Sequence, residues 1–239
     1  MNEEKEELNQ YIERIYEIFS SYYPEATLTL CSCCSTREEQ IKLSRIVQTP
    51  LRSLSDSDFL IYESALSINS GVYLHAIKYA IPLYMESILS VESSICLYQD
   101  SLSFLKGIEK KDWKERELEI IESSLLFFLG YYLNTHPHEV FENISQLNII
   151  DIIMLFEYFD VQKALDVWLN HTSYTALLHL KDLIYSRGTE NNKRLNKWLK
   201  DEKVRKVFCK KIENLILFEN QKASEDDLEE LNFFMKFYW

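Results

Sequence analysis

The run Val72-Tyr73-Leu74-His75-Ala76-Ile77-Lys78-Tyr79-Ala80-Ile81-Pro82-Leu83-Tyr84-Met85-Glu86-Ser87-Ile88-Leu89 decides the fold. Between Ala65 and Val91 the only charged residues are Lys78 and Glu86. A helix this poor in charge is buried on most sides. Pro82 is its one discordant residue, and it predicts a kink or a break near Tyr79. Gly71 separates this helix from the one before. That one opens at Ser55-Asp56-Ser57-Asp58, a capping residue with an acid three positions on. It runs to about Asn69, with Phe59, Tyr62, Ala65, Leu66 and Ile68 facing inward. Two helices across so short a link are antiparallel.

Composition extends the helical reading to the whole chain. Four Gly and four Pro among 239 residues leave few turns, and few turns mean long helices. Fifteen Tyr and thirteen Phe favour strands by propensity, but the apolar spacing is helical. Helices are expected at about 2–22, 36–47, 92–106, 112–133, 138–146, 148–158, 160–170, 172–187, 190–200, 202–219 and 225–237. Inward candidates are Leu8, Tyr11, Ile12, Ile15, Tyr16, Ile18 and Phe19 in the first, and Ile41, Leu43 and Ile46 in the second. Asp112 with Glu115 is expected to cap the long central helix, and Ser224 with Asp227 the last. The expectation is an all-α fold of about a dozen helices in antiparallel pairs, a repeat-like (HEAT-type) array. No linker rich in Gly, Ser or Pro divides it, so residues 1–239 read as one domain.

The net charge of −12 opposes a nucleic-acid binder and suits a basic partner. Residues 55–180 carry 18 acids and 7 bases, residues 181–211 carry 11 bases and 4 acids, and residues 212–239 carry 7 acids and 2 bases. The basic block, with Trp198 and Phe208 interleaved, lies between acidic segments that can neutralise it. No run of about 18 apolar residues suggests a membrane span. The start Met1-Asn2-Glu3-Glu4-Lys5-Glu6-Glu7 does not read as a secretory signal. Five cysteines then fit reduced thiols in a cytoplasm.

Cys31, Cys33 and Cys34 are the metal candidates, since thiolates suit zinc. Their spacing is poor for it, and Cys96 and Cys209 stand alone at apolar helix positions. A loop packed against the core is the favoured reading. His136, His138 and Glu139 lack the helical spacing of a zinc hydrolase. His171 and His179 would share a face only on an unbroken helix, and a break near Thr172 argues for structural roles. Glu115, Glu119 and Glu122 read as a solvated helix face. With no phosphate loop and no nucleophile elbow, neither an enzyme nor a cofactor is expected.

Residues 24–89 resemble an uncharacterised family of bacterial cytoplasmic proteins. The carrying pieces are Tyr23-Pro24, Cys31-Ser32-Cys33-Cys34, Thr49-Pro50-Leu51-Arg52-Ser53-Leu54, Tyr62, Ala65, Gly71 and Lys78-Tyr79-Ala80-Ile81-Pro82. The family has a Cys-Pro-Cys-Cys loop and a Pro-Leu-Arg-x-Leu motif. Here Ser32 replaces its Pro, and Ser70-Gly71-Val72 departs from its Gly-Asp. The resemblance implies an all-helical bacterial cytoplasmic protein, and the family offers no established activity to carry over. By analogy with small acidic bacterial proteins, an immunity protein that occludes a basic toxin domain is expected. A helical scaffold or adaptor is the alternative, and a cysteine-centred metal protein or enzyme the third. The partner-binding candidates are Glu3, Glu6 and Glu7 in the first helix, and Asp226, Asp227, Glu230 and Trp239 in the last.

Overall fold

The computed structural model describes residues 2–24, 28–33, 35–68, 74–90, 105, 108–139, 148–185 and 192–238. Among these there are eleven α-helices and no strand, so the fold is all-α. They are α1 (Asn2–Phe19), α2 (Arg37–Ile46), α3 (Asp56–Ile68), α4 (Leu74–Leu89), α5 (Glu115–Asn134), α6 (Ile149–Leu155), α7 (Val161–Asn170), α8 (Thr175–Tyr185), α9 (Lys193–Lys200), α10 (Glu202–Phe218) and α11 (Glu225–Tyr238). The helix expected at 92–106, most of that at 138–146, and Cys96 fall outside the described residues. The chain forms two compact units, Met1–Leu125 and Leu126–Trp239. The boundary lies inside α5, so no linker separates them.

In the first unit α1 lies along α4, and α2 packs on α3. Of the seven inward candidates of α1, Leu8, Ile12, Ile15 and Phe19 are buried, while Tyr11, Tyr16 and Ile18 flank that stripe and are only half-buried. Twelve of the sixteen α4 residues are buried. The helix runs unbroken through Pro82, so the break expected near Tyr79 does not occur. A missing backbone N–H costs helix stability, but packing on most sides of α4 holds the segment helical. Ile41 is a second departure. It lies 48% exposed, and α2 buries Leu43 and Ile46 without it.

Both helix starts at Ser55 and Thr36 are built as capping boxes. Ser55 Oγ accepts from Asp58 N at 3.2 Å, and Asp58 Oδ2 accepts from Ser55 N at 3.3 Å. Thr36 Oγ1 accepts from Glu39 N, and Glu39 Oε2 accepts from Thr36 N at 2.7 Å. The start of α5 differs from expectation. Residues Lys110–Asp112 form a 3-10 turn, and Glu117, not Glu115, accepts the Lys114 backbone N–H at 3.0 Å.

In the second unit, α9, α10 and α11 follow one another in contact, α6 packs on α7, and α8 packs on α11. Trp168 is fully buried, and its Nε1 donates to Ala176 O at 3.0 Å. Its ring lies 5.7 Å from that of Trp198, which meets Phe208 edge-on. The aromatics of the basic block are therefore core, and so is Lys181, while Lys193, Lys197, Lys200, Lys203, Lys206 and Lys210 are exposed.

A chain with four glycines cannot often end helices on a left-handed glycine. Here side chains close helix ends instead. Thr175 Oγ1 and Ser173 Oγ donate to Leu133 O at the end of α5, and His179 Nε2 donates to Tyr132 O and Thr135 O at 3.1 and 2.9 Å. Lys211 Nζ does the same for α7, donating to Leu169 O and His171 O at 2.6 Å.

Candidate functional site

Three places in the chain hold side chains with chemistry to offer. The first is the cysteine loop. Cys31 is partly exposed and Cys33 exposed, and Cys34 lies outside the described residues. Among the described residues no group of three His, Cys, Asp or Glu could hold a metal ion. His75 stacks on Tyr23 at 5.1 Å and meets Tyr22 at 5.3 Å. Leu28 and Leu30 are buried on either side of Thr29, and Gln40 Nε2 donates to Leu30 O and to Ser35 Oγ. The loop is tied down by its own flanks.

The second place is the charge inside α4. A lone lysine in a buried helix must find an anion or stay uncharged. Lys78 Nζ donates to Glu117 Oε2 at 2.6 Å, to Asp112 O at 2.6 Å and to Tyr22 OH at 3.2 Å. Tyr22 OH donates to Glu117 Oε1 at 2.5 Å. The ammonium also lies over the Trp113 ring, 4.9 Å from its centre. Burial alone would raise the Glu117 carboxyl. Hydrogen bonds from Lys78, Tyr22 and the Lys114 N–H, with the charge of Lys78, hold it below its ordinary value. Burial and the facing carboxylate raise the Tyr22 hydroxyl. The two charged side chains are 2% and 1% exposed, so no solute reaches them. The arrangement fixes α4 to α5 and to the end of α1. The sequence offers Lys78 as a signal, but not its partner 39 residues on. The other α4 charge is handled likewise: Glu86 accepts from Tyr16 OH at 2.6 Å.

The third place is α11, where four candidates were expected. Asp226, Glu230, Phe233 and Phe237 are spaced four, three and four apart, so they share one helix stripe. All four are exposed. The two rings lie 4.4 Å apart, tilted by 33°, and are 52% and 68% exposed. Behind the stripe, Leu231 and Phe234 are buried, and Phe234 meets Tyr185 of α8 edge-on. Asp227 points elsewhere, 3.3 Å from His136 Nε2, and its backbone N–H donates to Ser224 as the expected cap. Glu230 accepts from Lys181, which also meets Asp182. Trp239 lies outside the described residues. Glu3, Glu6 and Glu7 are exposed on α1, opposite its buried stripe. Phe233 and Phe237 belong to the aromatic tail that ends at Trp239, and their four-three-four spacing with Asp226 and Glu230 was readable from the sequence.

Compared with protein-family models, curated proteins and solved structures, the chain matches none. No helix among the described residues is long and apolar enough to cross a membrane.

Proposed function

We propose that this is a protein-binding protein that receives a basic protein surface on the outer stripe of α11. The observation that supports it is the pair of exposed, touching phenylalanine rings in line with Asp226 and Glu230. Water-exposed aromatic pairs are costly to leave uncovered, and aromatics in mid-interface supply most of the binding energy. Acids beside them, on a chain of net charge −12, attract a cationic partner and raise its association rate. Within this class we favour an immunity protein that covers a basic toxin domain and blocks it by occlusion, with no turnover of its own.

The test is direct binding to the product of the neighbouring gene, measured by calorimetry at several salt concentrations. Phe233→Ala and Phe237→Ala should each cost about 2 kcal/mol of affinity, roughly thirtyfold. Asp226→Asn should slow association and flatten its salt dependence while changing dissociation little. Binding indifferent to all three substitutions would remove α11 from the interface. Affinity independent of salt would remove the charge argument.

A further inference from the structure

A groove of about 230 Å³ in the first unit is lined by Arg14 and Ile18 of α1 and by Arg116, Glu119, Ile120 and Ser123 of α5. Each helix contributes one face: Arg14 and Ile18 are four apart, and Arg116, Ile120 and Ser123 follow at four and three. Ile120 is buried and Ile18 half-buried, which gives the groove an apolar wall. Arg14 and Arg116 are both exposed, and among the described residues neither has an ion pair or hydrogen bond. Arg52 shows the contrast in the same unit. It is clamped to Glu13 at 2.6 Å and laid over the Tyr16 ring. Arg116 also sits in the first turn of α5, where the helix dipole disfavours a cation. Two uncommitted guanidiniums thus share one cavity on a chain with twelve more acids than bases.

We propose that this groove binds a small aliphatic monocarboxylate. The carboxylate would sit between the two guanidiniums, which match it as planar, two-pronged donors. The hydrocarbon would lie along Ile18 and Ile120. Glu119 sets the charge: one carboxylate against two guanidiniums leaves a single positive charge, which suits a monoanion better than a phosphate dianion. The proton of Ser123 is committed to Ile120 O at 3.1 Å, so the arginines supply the donors. The volume lies below that of a drug-sized site, which restricts the ligand to short chains.

The experiment titrates sodium octanoate into the full chain at pH 7 and follows backbone amides by NMR. Octanol, octylammonium and octyl phosphate serve as probes of equal chain length. The expected result is saturable octanoate binding with shifts centred on Arg14, Ile18, Arg116 and Ser123. Arg14→Gln and Arg116→Gln should each weaken it by about tenfold or more. Arg116→Lys, which keeps the charge and loses the fork, should fall between. Both arginines are exposed and Arg116→Gln relieves a dipole penalty, so these variants remain folded. Their unchanged amide spectra away from the groove check this. Octanol binding as tightly as octanoate, octyl phosphate binding tighter, or no saturation would each overturn the proposal.

Discussion

Replacing Lys78 by methionine should destabilise the protein by about 3–5 kcal/mol, the cost of stranding one member of a buried ion pair. Glu117 would keep the Tyr22 hydroxyl and Lys114 backbone donors and the exposed Lys114 ammonium at 3.7 Å but lose its buried cation, and the carbonyl of Asp112 would lose its donor. The double variant Lys78→Met, Glu117→Leu should recover a large part of that loss, because it removes both buried charges together. Urea unfolding of the two variants beside the parent checks this. A single variant within about 1 kcal/mol of the parent would mean that water reaches the site. The pair also has a pH signature. The Glu117 carboxyl is held below its unfolded value, so its contribution is present above the ordinary carboxylate range. It is lost as pH falls through the lower, folded value. The parent should lose this part of its stability only under strongly acid conditions.

His179 should act earlier in the same titration. Burial pulls it from 6.5 down to about 4, against the opposing pull of the Thr135 and Tyr132 carbonyls and of Asp182. Below pH 6.5 the unfolded chain takes up a proton that the folded chain refuses. Stability therefore falls as pH drops from 6.5 to 4 and is unaffected by this group above 6.5. The full difference is about 3 kcal/mol. Urea midpoints between pH 7 and pH 4.5 should show the slope, and His179→Gln, which keeps a donor for the α5 carbonyls, should flatten it. A parent whose stability is level across that range would show that the ring charges in place.

The helices were readable because their signals are local. Apolar spacing in α1, the Ser55 and Ser224 caps and the charge-poor stretch around α4 need no knowledge of distant residues. Ile41 and Pro82 misled for a tertiary reason. Nothing in α2 itself says that Leu43 and Ile46 suffice to cover its inner face, and nothing in α4 says how closely its neighbours brace it. The same limit hid Glu117. Its sequence neighbours Glu115 and Glu119 are solvated, whereas Glu117 turns inward to meet an ammonium from another helix. The α11 stripe was partly legible. Its acids stood out by charge, but Asp227 and Asp226 differ only in which way the helix turns them, one to His136 and one to solvent.

The passage of the chain from one compact unit to the other within α5 limits how it can be dissected. A fragment ending at Leu125 would stop in mid-helix, with its last four carbonyls without amide partners. A fragment starting at Leu126 would open with four orphaned N–H groups and without a capping side chain. Neither half is then a fair stand-in for its unit. A split-protein reporter or a two-piece expression scheme should be cut in the Asn134–Thr135 turn. There the helix already ends, although the carbonyls closed by Thr175 and His179 would have to be re-formed between the pieces.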